Sequence, residues 1–310
     1  MQKNTLSTHN KRNKEYFATD VFIQAQLKLA RMRLEKAIRP DGTISFSILK
    51  TKLLSTNAKI EKSNDGKDYL TKSQSFAPSY VSGYNMCSHA TSCAQVCLFG
   101  AGHGQRHMMN GENHFVTQAR MIRTLLFMEH RKEYLKKLIK EIQAHVRKAE
   151  RMDLKPAIRL NTISDVIWEK MFPFLFGQFP EVQFYDYTAI PNRDVSHIPN
   201  YHLVFSRKED NEDVALSQSL NIAIPFLVKK GEALPKTYKG LTVIDADKHD
   251  MIWKWAEMYP NQQVILGLRP KGKDAWNDTS GFVVDPYAQS FTEWVKYVDN
   301  QPFEHDWYSI

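Results

Sequence analysis

Cysteine is nearly absent from this chain, and the little there is lies in one place. Only three of the 310 residues are cysteine, and Cys87, Cys93 and Cys97 all fall within eleven consecutive positions. An odd count without a secretory leader argues against a disulfide framework, so the thiols are expected to be reduced. No apolar run approaches the roughly 18 residues that cross a bilayer. The opening MQKNTLSTHNKRNK is polar and basic rather than a leader. These absences point to a cytosolic protein with no membrane partner. No internal repeat and no low-complexity tract is present. Acidic residues are also short, 34 against 42 lysines and arginines, which leaves a formal charge of +8. That surplus favours a polyanionic partner without naming one. With 42% hydrophobic residues the chain is globular, and long enough for one large domain or two small ones.

What the chain does hold is concentrated in NMCSHATSCAQVCLFGAGHG, residues 85–104. A helix beginning over Ala94–Phe99 puts Cys93 and Cys97 on one face. Cys87 then folds back from the preceding loop to complete a triangle of thiolates. Gly100, Gly102 and Gly104 let the backbone pass close to whatever sits there. Zinc asks for a fourth ligand, which His89, His103, His107 or His114 would supply as a closed three-cysteine, one-histidine site. An iron–sulfur cluster of the 4Fe-4S kind on three cysteines leaves one iron open to a substrate or to S-adenosylmethionine. The plain alternative is three buried thiols acting as small hydrophobes. A metal is the expectation, iron–sulfur ahead of zinc.

Residues 1–14 read as a disordered basic arm. From Glu15 to Ile38 the apolar spacing is helical, and Pro40-Asp41-Gly42 ends it with a turn. Thr43–Lys50 alternates like a strand, and Asn64-Asp65-Gly66 reads as a loop tip. Residues 1–75 are thus expected as an N-terminal extension, and 76–310 as the main domain. The longest helical signal runs from Glu112 to Arg151 with a break near His130. Its outer face carries Arg120, Arg123, Lys132, Lys136, Lys140 and Arg147 among others, either a solvated face or a track for phosphates.

One strand is expected near Phe76–Val81. From Pro156 onward short apolar runs alternate with helical segments, at Ala157–Leu160, Val182–Tyr187, His202–Phe205, Ile222–Phe226, Leu241–Ile244, Val264–Leu268 and Gly281–Val284. About eight such units predict an α/β fold with a mostly parallel sheet, a (β/α) barrel or a distorted one, with a doubly wound open sheet as runner-up. Each run ends in polar residues: Arg159, Asn161 and Asp165, then Asp186, Tyr187 and Thr188, then Ser206 and Arg207, then Asp245 and Asp247, then Arg269. Asp165 and Asp247 suit helix caps equally well. The three arginines at equivalent strand ends suit an anionic ligand held by bidentate forks.

The run of residues 85–104, together with RLNTISDVIWE, VQFYDYTAIPNR and NYHLVFSRKEDN, resembles the "gene product 88" family of phage proteins over about residues 75–285. The resemblance implies a phage origin, and hence the host-cell cytoplasm, more firmly than it implies a function. Cys87, Cys93 and Cys97 match that family's cysteine motif. Where the family often carries lysine after Tyr-Asp-Tyr-Thr, this chain has Ala189. A looser similarity is to radical S-adenosylmethionine enzymes, which place three cysteines after the first barrel strand. The spacing here is five and three residues rather than three and two, and no Gly-Gly-Glu run follows. A third similarity, to zinc-containing transglycosylase barrels, implies Asp165 or Asp245 as a nucleophile.

Together these readings predict an iron–sulfur protein acting on nucleic acid or a nucleotide. Asp165, Asp186 and Tyr187 are its candidate catalytic residues. Arg159, Asn161, Thr188, Ser206, Arg207, Asp245 and Arg269 are its candidate substrate contacts. A zinc-bearing base-modifying enzyme and a non-enzymatic nucleic-acid-binding accessory, with a host protein as a further partner, are the alternatives.

Overall fold

A computed structural model describes residues 2–63, 68–97 and 114–288 of the chain. Asn64-Asp65-Gly66, the three glycines at 100, 102 and 104, His103, His107 and Glu112 lie outside the described residues. The chain opens with helices α1 (Gln2–Thr19) and α2 (Val21–Glu35), so the expected disordered arm is helical. Asp20 separates the two by accepting the Ile23 N–H at 2.9 Å, a side-chain N-cap. Short helix α3 (Phe46–Leu49) replaces the strand expected over Thr43–Lys50. Strand β1 (Leu54–Ser55), helix α4 (Ala58–Ser63) and strand β2 (Tyr69–Gln74) follow. The segment before residue 76 therefore contributes two strands to the main sheet. The strand expected at Phe76–Val81 is displaced to β2, and Phe76–Val81 is a buried turn leading to the cysteines.

Helices α5 (Phe115–Glu129) and α6 (Arg131–Arg151) meet at His130, where the break was expected. Then come β3 (Lys155–Arg159), α7 (Trp168–Met171), α8 (Phe174–Gln178), β4 (Gln183–Thr188) and β5 (Tyr201–Ser206). Helix α9 (Glu212–Ser217) leads to β6 (Ile222–Pro225) and the hairpin β7 (Thr237–Tyr238) and β8 (Leu241–Asp245). Helix α10 (Ile252–Met258), β9 (Ile265–Leu268) and α11 (Lys273–Trp276) complete the order. No helix among the described residues is long and apolar enough to cross a membrane.

The nine strands form one sheet in the order β1-β2-β3-β4-β5-β6-β9-β8-β7. Every pairing from β2 across to β8 is parallel, and only the two-residue edge strands β1 and β7 run antiparallel. The expected barrel does not close. Its eighth run, Gly281–Val284, supplies only an isolated bridge from Val284 to Phe226. The deeper reason is that both faces of the sheet carry helices. Ile158, Phe184 and Leu203 point into a core shared with α2, α5 and α6. Ala157, Tyr185 and Val204 point the other way, into a core holding Trp253 and Trp255 of α10. A barrel fills its inner face with strand side chains alone, whereas two helix-covered faces make an open parallel sheet.

Candidate functional site

A parallel sheet brings the carboxyl ends of its strands to one edge. Here they open on a cleft of about 890 Å³, within the range of small-molecule sites. Ser75 beyond β2, Arg159, Tyr187, Ser206, Pro225 and Leu268 all line it. The opposite wall is the cysteine segment with the first turns of α5, and Cys87, Cys93 and Cys97 all face this one cleft.

That wall is held in place from two sides. The segment is not the expected helix; a single tight turn over Ser92–Ala94 takes its place, so Cys93 and Cys97 share no helical face. Glu209 accepts the Ser92 N–H at 2.8 Å and the Thr91 hydroxyl at 2.9 Å. From α1, the buried Asn13 donates to the Ala90 and Thr91 carbonyls, and Asn10 donates to the Ser88 carbonyl at 3.1 Å. Cys87 Sγ accepts the Ser79 N–H at 3.4 Å and donates to the Ile163 carbonyl at 3.6 Å, so it is a protonated thiol. Burial pushes its pKa well up, and the neighbouring Cys97 and Cys93 push it further. Among the described residues no three His, Cys, Asp or Glu side chains converge as a ready metal-ligand set. The thiols share a wall without forming the expected triangle. Of the candidate fourth ligands, His89 lines the cleft, whereas His114 is buried and spends its Nδ1 on Thr117 as the cap of α5.

The strand-end arginines line the cleft as expected but do not offer open forks. Arg159 donates to Asp250 at 2.9 Å and to the Asn161 and Thr162 carbonyls, and lies over the Tyr187 ring at 4.4 Å. Arg207 donates to Glu212 and to the Gly281 and Phe282 carbonyls. Arg269 is held by both oxygens of Asp245, at 3.0 and 3.1 Å, and by Asp247 and the Glu232 carbonyl. Asp245 thus neutralises an arginine and does not line the cleft.

Other expected contacts are structural as well. Asn161 spends both ends of its carboxamide: it donates to the Val166 carbonyl and Asp186, and accepts from Ser164, the Val166 N–H and Trp168 Nε1. Trp168 in turn stacks with Phe76 at 6.2 Å between ring centroids, so a core aromatic fixes this cleft loop. Asp186 is not in the cleft. Strand alternation turns it to the opposite face, where it accepts from the Asn161 N–H, the Asn161 amide and the Tyr201 hydroxyl. Burial pushes its pKa up to about 7. Thr188 is buried and accepts the Ile190 N–H.

Asp165 does line the cleft, and burial raises its pKa against the opposing pull of Arg193 and the Ala189 N–H. Arg193, itself paired at 2.7 Å with Glu169, anchors that carboxylate from below. Tyr187 lines the cleft too, with its hydroxyl on Asp250 at 3.4 Å.

The reading of the sequence missed the cations beside the thiols. Arg120 and Arg123, placed on the outer face of the long helix, line the cleft instead, and Arg123 is buried. Its guanidinium donates to the Lys52 and Ser75 carbonyls at 2.7 and 3.3 Å. Burial, together with the like charge of Arg120, lowers its pKa to about 10. Lys208 extends between the Phe282 ring, at 4.9 Å, and the Cys93 thiol. Burial alone pulls its pKa down, but Cys93 and Asp165 more than offset this, so the net shift is upward and the ammonium stays charged. Among the described residues Lys208 makes no ion pair. One signal was available: α5 is apolar almost all round, so its arginines could not all face water.

A family model described as Gene product 88 matches residues 48–286. No curated protein and no solved structure matches the chain.

Proposed function

We propose that this chain, a member of the Gene product 88 family, is an enzyme that binds an anionic substrate of the nucleotide class in the strand-end cleft. The observation that carries this reading is the meeting of six parallel strand ends with a wall of three thiols and three cations on one nucleotide-sized cavity. Lys208, Arg120 and Arg123 supply positive charge on the thiol side, where burial makes each charge count for more than it would in water. Asp165, with its raised pKa and its place on the cleft wall, is the acid–base group. Arg159, Tyr187 and Asp250 form the floor. Calorimetric titration of the full chain with nucleoside mono-, di- and triphosphates tests the reading. Binding that weakens in Lys208→Gln supports it, and no binding of any of them overturns it.

A second reading concerns the thiols and rests on their distribution: the chain's whole complement of cysteine faces one cleft. In this reading Cys87, Cys93 and Cys97 hold a metal, an iron–sulfur cluster before zinc, with S-adenosylmethionine or the substrate at the open iron. Cys87, whose pKa is raised by burial and by the neighbouring Cys97 and Cys93, belongs to a donor set that a cation would stabilise. Holding one requires residues 87–97 to draw the thiols closer together than they stand. Anaerobic purification with metal analysis decides it. Stoichiometric iron and sulfide support the cluster, zinc without iron supports the alternative, and neither metal leaves three packed thiols.

A further inference from the structure

Beyond its first residue, helix α6 carries six exposed cations, Lys132, Lys136, Lys140, Arg147, Lys148 and Arg151. Its acids do not balance them. Glu141 is turned inward, accepting the Leu53 and Leu54 N–H groups at 3.0 and 2.8 Å. Glu133 pairs with Lys136 at 3.2 Å, which leaves only Glu150 exposed on the helix. The surplus is not confined to one helix face. Lys72, half-buried on β2, and Lys52, exposed just before β1, stand in the same field as Lys148. Burial lowers the pKa of Lys72, and Lys148 and Lys52 lower it further against the pull of Glu141. Three separate elements therefore bring like charges together, an arrangement that is unfavourable until an anion joins it.

The chemistry of the face selects the anion. The apolar side of α6, including Tyr134, Leu138, Ile142 and Val146, is buried in the core. The exposed side therefore offers no apolar stripe to enter a membrane, and no aromatic anchor of the kind protein interfaces use. A 21-residue helix is about 32 Å long, close to one turn of a nucleic-acid duplex. We propose that the face formed by α6, Lys52 and Lys72 docks the phosphate backbone of a nucleic acid, independently of its base sequence. This surface is distinct from the cleft and would hold the strand whose nucleotide the cleft receives, so in that respect it rests on the proposed function.

The test is binding of the full chain to a fluorescein-labelled 20-base-pair duplex and a 20-nucleotide RNA across a salt series. The triple variant Lys52→Gln, Lys72→Gln, Lys148→Gln is expected to bind at least tenfold more weakly at low salt. Its log–log salt slope should flatten by about 0.9 for each duplex phosphate no longer neutralised, or about 0.7 on single strands. Because Lys72 is half-buried, Lys132→Gln, Lys140→Gln, Arg147→Gln gives a second variant confined to fully exposed positions, with the same expectation. Unchanged slopes in both variants overturn the proposal, as does a wild-type chain that binds neither probe at about 50 mM salt. Vesicles rich in phosphatidylserine, bound as tightly as the duplex and released by the same substitutions, overturn it in favour of a membrane. Titration of nucleoside phosphates into both variants keeps the two readings apart, since cleft binding is expected to stay within twofold of wild type.

Discussion

The two walls of the cleft carry the same kind of charge and use it in opposite ways. At the strand ends, Arg159, Arg207 and Arg269 arrive with their own carboxylates, Asp250, Glu212 and Asp245. On the thiol wall Lys208 and Arg123 meet thiols, ring faces and backbone carbonyls instead. An arginine already neutralised by a carboxylate at hydrogen-bond distance braces the loop it stands on. A cation with no carboxylate at ion-pair distance, as Lys208 stands among the described residues, keeps more of its charge for a ligand. Position at a strand end is therefore a weaker guide to binding than the balance of charge around it.

The contrast is sharpest in stability. Asp250 is fully buried, so Arg159→Ala takes the arginine's charge away from a buried carboxylate. Urea denaturation should show a loss of about 3–5 kcal/mol. A loss under about 1 kcal/mol, the worth of an exposed pair, would mean that the rim arginines are not braces and would return them to ligand binding.

The second effect is on pH. Asp186 lies below the cleft floor with a pKa of about 7, against an ordinary value of about 3.9. Between those values the folded protein keeps a proton that the unfolded chain has released. Stability therefore falls as pH rises from about 4 to about 7 and levels off above. The unfolding free energy from urea denaturation should drop between pH 5 and pH 8 by on the order of 2 kcal/mol, and Asp186→Asn should flatten that drop. A wild-type profile that rises over this window would place an ionised Asp186 in the fold, held by its three hydrogen-bond donors.

The smallest effect tests the hold on the thiol wall. Asn13→Ala removes two hydrogen bonds to the cysteine loop, worth about 1 kcal/mol. Its readout is alkylation of Cys93 and Cys97 by iodoacetamide, followed by mass spectrometry, and a several-fold faster rate is expected. An unchanged rate would mean that α1 lies on the loop without controlling it.

Much of the scaffold was legible because parallel strands buried on both faces appear as apolar runs. Six of the seven runs from Ala157 onward became strands within a residue or two. Openness was not legible. Nothing in the spacing of Trp253 and Trp255 says that they cover the face a barrel would close over. The three cysteines, neighbours in sequence, all line the cleft. Asp186 misled because a polar residue at a strand end looks the same whichever face it takes. Asp250, which braces Arg159, stands 91 positions from it, a separation that no sequence spacing reveals. Asn13, in a stretch of polar residues, gave no sign that its amide would be buried against a loop 77 positions away.

The central claim is that ligand charge is read at the thiol wall and not at the rim. The most direct test is calorimetric titration of a nucleoside triphosphate into wild type, Lys208→Gln and Arg269→Gln. The account predicts that affinity falls at least tenfold in Lys208→Gln, about 1.4 kcal/mol, and stays within threefold in Arg269→Gln. The reverse pattern, with Arg269 decisive and Lys208 indifferent, would contradict it.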